Sequence, residues 1–491
     1  MKKRLASARL NLLTHSLVIT DQAEYGLVAT SQGLRLAVWM PADAKAIRKF
    51  RGETSEFEGG TLLIGELSHA NAVSLRSRLE WLCPALLGLK TSAGLGDRIG
   101  VATPGHVRSV RDMNGSIAPI FAQQSIREMQ RTGRSPQQVL DDATWGIFEE
   151  GWQTGTGADA DHLKTNQDID ACFEAGFSFF TFDPGEYVDA TAQQAHKKTL
   201  EEKLNGIPEY LQPCATGLVG TSLEVEGHHI HLSKEAVVRA AVKYGRAIDH
   251  VVDMYEHLKY VAGYLPFEVE VSMDETVSPT TPAEHVYIAS ELKRMGVRWV
   301  SFAPRFVGQF EKGVEYIGDL LAFRADIAVH AAIARRFGPY KLSLHSGSDK
   351  FSLYPLFVEA TRGLAHLKTA GTSYLEALRT IAAIAPVFFK EIYAFAREHF
   401  EADRLSYHLS AELRRAPMPA DIKDAGILFE QFDARQVLHV TFGSVLTEKN
   451  DDGSPRFYDR LMEILRQNRE AYFDNLERHF RRHLEPFRYI E

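Results

Sequence analysis

The sequence predicts an α/β protein built on a (β/α)8 barrel, and three observations carry that prediction. From about residue 85 short apolar runs alternate with longer amphipathic stretches. Eight such runs occupy about 290 residues, and run after run ends in charged or polar side chains. Alternating strands and helices make a parallel sheet with right-handed crossovers, and eight repeats close it into a barrel. An open doubly wound sheet is the competing architecture.

Residues 1–82 read as a small α/β region, with GLVATSQGLRLAVWM (26–40) and TLLIGELSH (61–69) as strands and PADAKAIRKF (41–50) as a helix. The barrel is expected over 83–380. Its strand candidates begin with PALLGLK near 84, IAPIFAQQS near 117, GADADHLK near 157 and FSFFTFD near 177. FEVEVSMDE near 267, VRWVSFAPRF near 297, YKLSLHSGSDK near 340 and GLAHLKTAGTSY near 363 complete the eight. Between them SPQQVLDDATWGIFEEGWQ, KEAVVRAAVKYGRAIDHVVDMYEHL and PAEHVYIASELKRMG have helical periodicity, the last stopping at Gly296. Residues 381–491 read as a helical extension. It ends in a basic amphipathic stretch that suits a docking or dimer helix better than a membrane binder.

Composition removes several classes. An apolar fraction of 45% and a charged fraction of 24% exclude a disordered, collagenous or coiled-coil chain. With 56 basic against 64 acidic residues the net charge is −8, so nucleic acid is not an expected partner. Cys83, Cys172 and Cys214 make no disulfide framework and no CxxC pair, which points to a reducing cytoplasm. Arg9, Asn11 and His15 interrupt the start too early for a signal peptide, and no run is long and apolar enough to span a membrane. The partner expected is a small molecule, with a homo-oligomer left open.

A barrel carries its chemistry at the carboxyl ends of its strands. There the third run places Asp159, Asp161 and His162, and the fourth Asp183. The fifth puts Glu268, Glu270, Ser272 and Asp274 on one strand face. Arg305, Gln309 and Glu311 follow the sixth, His345, Ser348, Asp349 and Lys350 the seventh, and His366 and Lys368 the eighth. Charges placed there are costly unless paired, hydrogen-bonded or bound to metal.

His162 and His345 are the metal-ligand candidates, since imidazole plus carboxylate suits catalytic divalent ions. Each alone also fits an ordinary hydrogen-bonding histidine. Glu311 is a candidate third ligand, although a solvated loop carboxylate accounts for it more readily, and Gln309, Asp274 and His366 compete with it. Asp161 and Glu270 are candidates for an acid–base pair. A helix cap would account for Asp161 without chemistry, and a buried ion pair would account for Glu270. Arg305, Lys350 and Lys368 could hold an anion, the arginine as a bidentate fork on a carboxylate. Gln124 and Ser125, ending the second run, are further substrate-binding candidates. The glycines of AGLGDRIG miss the G-x-G-x-x-G spacing, and there is no Walker A, HExxH or G-x-S-x-G motif. HHIH (228–231) without cysteines reads as a solvated loop.

These segments resemble the tagaturonate epimerase family of hexuronate catabolism. The resemblance runs through GDRIGVATPGHV (96–107), PIFAQQSIRE (119–128), RTGR (131–134), VLDDATWGIFEEG (139–151) and GADADHLK (157–164). It continues through DMYEHL (253–258), FEVEVSMDET (267–276), RFVGQFEKGVEYIGDL (305–320), KLSLHSGSDKFSLYP (341–355) and HLKTAGTSYLEA (366–377). SYHLSAEL (406–413) and ARQVLHVTFGSVL (434–446) complete it. The resemblance implies interconversion of D-tagaturonate and D-fructuronate with one divalent cation (Mn, Zn, Ni, Co or Fe). It also implies Asp161 as proton acceptor, Glu270 as proton donor, and His162 and His345 as ligands. Gln309 stands where relatives carry an acid, and on this resemblance Glu311 is the expected third ligand. The alternatives are an epimerase of neutral ketohexoses and a metal-dependent sugar-acid aldolase.

The two uronates differ at ketose carbon 4, which is β to the ketone, so its C–H is not acidified and enolisation cannot invert it. The C3–C4 bond is an aldol bond. Removing the C4 hydroxyl proton cleaves it into an enediolate and an aldehyde acid, and re-addition to the rotated aldehyde inverts the centre. A retro-aldol route is therefore expected, with a path through a shifted carbonyl as its rival.

Overall fold

The computed structural model describes residues 4–8, 10–212, 217–369 and 371–488. Eight parallel strands close into a barrel: β6 (Ser92–Gly94), β7 (Ala118–Ser125), β8 (Gly157–Leu163), β9 (Phe179–Phe182), β12 (Glu268–Ser272), β13 (Ser301–Ala303), β14 (Lys341–Leu344) and β15 (Ala365–Lys368). Closure runs through β15 on β6, with Lys368 opposite Gly94, and through β9 on β12, with Thr181 opposite Glu270. A helix follows each strand, including Pro136–Glu150, Lys234–Ala262, Pro282–Arg294 and Leu320–Phe337. Their starts are written locally. Ser135 with Gln138, Thr165 with Asp168 and Thr281 with Glu284 each form a capping box that satisfies orphan N–H groups.

Seven of the eight expected strands stand where the apolar runs placed them. The first does not. PALLGLK is a loop, and the strand is the next segment, Ser92–Gly94. Of the loop only Leu87 is buried, Leu86 and Leu89 being exposed, and the Leu87 and Gly88 N–H groups donate to the buried Glu268 carboxylate.

The N-terminal region is a five-stranded antiparallel sheet of order β1-β2-β3-β5-β4. Its strands are β1 (Leu12–Ile19), β2 (Glu24–Thr30), β3 (Gly33–Pro41), β4 (Glu53–Phe57) and β5 (Gly60–Gly65). The helix expected at 41–50 is only a 3-10 turn over Lys45–Lys49. None of those five residues is buried, so no apolar face holds a longer helix in place. HHIH lies in a hairpin rather than a loop, with β10 (Thr221–Val225) paired to β11 (His228–Leu232). Its His229 and His231 face solvent.

After the barrel come helices Pro386–Asp403, Phe432–Val440, Phe442–Thr447, Tyr458–Gln467 and Arg469–Leu484. The basic C-terminal helix docks on its own chain, burying Tyr472, Leu476, Phe480 and Leu484. Gly105 makes the approach possible: a Cβ there would stand 2.7 Å from Leu476 Cβ. Among the described residues no helix is long and apolar enough to cross a membrane. Cys83 and Cys172 are free thiols, and Cys214 lies outside the described residues.

Candidate active site

Lys368, at the end of β15, is the hub of the barrel interior. Its ammonium lies 2.9 Å from Asp159 Oδ2, 2.7 Å from Asp161 Oδ1 and 2.9 Å from Glu270 Oε1, and it donates to Thr181 Oγ1 at 2.7 Å. Burial works against that charge, but the three carboxylates hold Lys368 well above the ordinary lysine range. Asp159 fares differently. Burial, only partly offset by Lys368, pushes it up to about 6.

Asp161 and Glu270 each reach outward to an imidazole. His162 Nδ1 is 2.7 Å from Asp161 Oδ1, and His345 Nε2 is 2.6 Å from Glu270 Oε1. The other oxygens are also engaged, Asp161 Oδ2 by Gln123 Nε2 at 3.0 Å and Glu270 Oε2 by the Ser301 hydroxyl. Burial opposes ionisation of both carboxyls. For Asp161 the His162 and Lys368 charges overcome it, and for Glu270 the Lys368 and His345 charges do, so both stay well below the usual carboxylate range. Asp161 is 4% exposed and Glu270 0%, so both lie behind the imidazoles rather than at the cavity wall.

The far sides of the two rings meet at Asp274. Its Oδ1 is 3.0 Å from His345 Nδ1 and 3.7 Å from His162 Nε2, with ring centroids 5.0 Å apart. One donor atom each of His162, Asp274 and His345 lies within 4.8 Å of the other two. Backbone strain helps to aim the set. His162 has a φ of +54° where β8 shifts register against β9, which turns the ring out of the strand's alternation. Burial disfavours charge on His345, yet Asp274 and Glu270 raise it to about 9. A field that draws protons onto both rings also draws a divalent cation.

The donor set fits such a cation. It is two imidazoles and a carboxylate, and each imidazole presents its remaining ring nitrogen to a second carboxylate, the arrangement that orients histidine ligands on a metal. Glu311, expected as third ligand, is outside the cluster. Its Oε2 accepts from the Ser410 N–H and from Gln436 Nε2, both at 2.9 Å. Gln309 lines the cavity beside it, and His366 sits deeper, 2.9 Å from Ser92 Oγ. Asp274 completes the group instead.

A cavity of about 190 Å3 opens above Asp274, walled by Arg127, Arg305, Lys312, Ser346, Tyr407 and His408 among others. Arg305 is thus at the cavity as expected, with its buried Nε unpartnered. Lys350 is not. Its ammonium donates to the carbonyls of Glu311, Val314 and Ser348, which uses all three N–H bonds on the backbone. Gln124 is out of phase by one. It pairs with Ala160 in register and accepts from Arg134 Nη1 at 3.1 Å, while Gln123 is the residue that faces inward. The Ser125 hydroxyl accepts from the Glu128 N–H as a helix cap.

Sequence reasoning missed Lys312, Arg127 and Gln123, and could not place the 406–410 segment that roofs the cavity. Arg131 ties that segment down by donating to Tyr407 Oη and Ser406 Oγ, both at 2.6 Å. A second buried trio, Asp349, His479 and His483, joins the last helix to the loop after β14. Arg435 pairs with Asp349 at 2.8 Å and the Asp349 N–H donates to His483 Nε2, while His479 Nε2 is buried without a hydrogen-bond partner.

Comparison with known proteins gives a consistent result. Residues 13–487 match the family model described as tagaturonate epimerase. A tagaturonate/fructuronate epimerase of Thermotoga maritima is 42% identical over 469 residues, 95% of this chain and 94% of that protein. The crystal structure of fructuronate-tagaturonate epimerase UxaE from Cohnella laeviribosi superimposes with a TM-score of 0.92 at 38% identity, covering 98% of this chain and 97% of the other. Its complex with two glycerols gives the same TM-score over 98% of both chains.

Proposed function

The chain belongs to the tagaturonate epimerase family and is an epimerase, and on that premise we propose that it interconverts D-tagaturonate and D-fructuronate at ketose carbon 4, using one divalent cation held by His162, His345 and Asp274. The observation that carries this reading is the convergence of two imidazoles on Asp274, each braced from behind by a buried carboxylate. A bound cation would supply Lewis-acid stabilisation of the negative charge that develops on the substrate oxygens.

The protein's own groups supply the rest. Asp161 is assigned as proton acceptor for the C4 hydroxyl: it is held anionic against burial by His162 and Lys368, and because it lies, like Glu270, behind the imidazoles, the substrate oxygen must pass beside those rings to reach either carboxyl. Loss of that proton breaks the C3–C4 bond, leaving an enediolate and an aldehyde acid in the cavity. Re-addition to the opposite aldehyde face needs a proton for the new C4 alkoxide, and Glu270 is the donor. Glu270 rests as a carboxylate, so that proton comes through its contacts with Lys368 at 2.9 Å and His345 at 2.6 Å. Arg305 offers its unpartnered guanidinium edge to the substrate carboxylate. The roof made by residues 406–410 keeps the aldehyde fragment from diffusing away.

The test is turnover of D-fructuronate by chelator-stripped protein, with and without added Mn²⁺, Zn²⁺, Ni²⁺ or Co²⁺, with products identified by NMR. Tagaturonate should form only with metal. No product with any metal, from folded protein that has taken the metal up, overturns the reading, and release of three-carbon fragments replaces it with an aldolase.

A further inference from the structure

Three acids line the cavity, and each is already engaged. Asp274 faces the two imidazoles, Glu275 Oε1 pairs with Arg127 Nη2 at 3.1 Å, and Glu311 accepts from Ser410 and Gln436. The cations are not balanced in the same way. Arg127 has Glu275 and lies over the Tyr407 ring at 5.4 Å. Arg305 and Lys312 form no ion pair among the described residues, although both line the cavity. Arg305 leaves its buried Nε unpartnered. The Lys312 ammonium makes one hydrogen bond, to Ser346 Oγ at 2.8 Å, which leaves two N–H bonds for a ligand.

The setting of Lys312 is specific. Ser346 follows His345 directly and is fixed at a φ of +48°, so the ammonium is moored beside the candidate metal ligands. On its other side the Lys312 carbonyl accepts from Gln436 Nε2 at 3.3 Å, and the same amide donates to Glu311. Burial and the neighbouring Arg127 charge depress Lys312 below the ordinary lysine range, despite Glu275, Glu128 and Asp274 nearby. A half-buried cation so placed forms no ion pair with any carboxylate of the described residues, and a ligand carboxylate would supply one.

We propose that Lys312, together with Arg305, forms the carboxylate subsite of this cavity, and that Lys312 sets the preference for a ketohexose acid over the neutral ketohexose. This rests on the epimerase reading above and adds to it the residue that reads the acid. Lys350 and Lys368 are excluded from that task because their ammonium groups are fully engaged inside the protein.

Calorimetric titration of the full chain tests this with D-fructuronate, D-fructose and D-fructose 6-phosphate as ligands, in wild type, Lys312→Met and Lys312→Arg. A charge-assisted contact predicts that Lys312→Met weakens fructuronate by about 10- to 100-fold, leaves fructose within about threefold, and that Lys312→Arg recovers much of the loss. The proposal is overturned if the uronate binds Lys312→Met as well as wild type, if acid and neutral sugar weaken together, or if the phosphate ester binds wild type more tightly than the uronate. Arg305→Met provides a second arm with the same expectation should Lys312→Met melt early. Binding is read apart from turnover. A wild type that binds the uronate through Lys312 without converting it removes the reaction and keeps the subsite, whereas normal conversion with unchanged binding in Lys312→Met removes the subsite alone.

Discussion

Replacing Lys368 with methionine deprives Asp159, Asp161 and Glu270 of the one ammonium they share, 2.7–2.9 Å away. Removing one partner of a buried ion pair costs about 3–5 kcal/mol, because the charge left behind stays buried. Unfolding entropy near 2 cal/mol/K per residue gives the 491 residues about 1 kcal/mol/K, so one-step unfolding would shift Tm down by about 3–5 °C. Asp159→Asn is the control. That carboxyl is already raised to about 6 by burial, so losing its charge also relieves repulsion from Asp161 and Glu270, and stability should change by no more than about 1 kcal/mol. Differential scanning calorimetry of chelator-treated protein at about pH 7.5, above the ordinary carboxylate and imidazole ranges, compares the two. Lys368→Met melting within about 1 °C of wild type would refute the charge arrangement described for the barrel interior. A larger loss from Asp159→Asn than from Lys368→Met would refute it too.

Gly105→Ala should destabilise the protein even though alanine favours a helix by about 1 kcal/mol, since its Cβ would meet Leu476 Cβ at 2.7 Å and overpacking costs about 1–3 kcal/mol. A raised Tm would show that the C-terminal helix does not dock there. Acid should weaken the fold through histidines buried in the neutral form. Burial lowers His106 to about 4 from the usual 6.5. The unfolded chain therefore binds the proton first, and the His106 contribution is whole above about pH 6.5 and lost as pH falls through 4. It amounts to about 3 kcal/mol by pH 4, so the pH-dependent loss measured in urea titrations should shrink by about that much in His106→Gln. An unchanged loss would contradict the assignment.

Much of the barrel was legible because strand and helix have different periods and because charges recur at one end of successive runs. Where apolarity did not mark a strand the reading slipped. PALLGLK is as apolar as a strand, yet only Leu87 of it is buried and the Leu87 and Gly88 N–H groups go to Glu268, a difference that sequence periodicity does not show. The N-terminal strands β1 and β4 escaped for the opposite reason. β1 is mostly half-exposed and β4 nearly all exposed, so neither shows clean alternation. In the site, His162, His345, Asp161 and Glu270 were found as strand-end charges, and the structure brings all four together around Lys368 and Asp274. The choice of Glu311 over Asp274 could not be made from spacing. It depends on how the loop after β12 folds back over the barrel mouth, and on Ser410 and Gln436, far along the chain, capturing Glu311. Gln124 against Gln123 is a phase error of one residue, invisible until the strand's register is known. Lys312 had no strand end to mark it.

The most direct test of the central claim is X-ray absorption at the metal edge of Co²⁺- or Mn²⁺-loaded protein, in wild type, Asp274→Asn and Glu311→Gln. A site held by His162, His345 and Asp274 predicts scattering from two imidazoles in the wild type, loss of affinity or of one oxygen ligand in Asp274→Asn, and a wild-type spectrum in Glu311→Gln. Imidazole scattering absent from the wild type, or a shell disturbed by Glu311→Gln and untouched by Asp274→Asn, would contradict it.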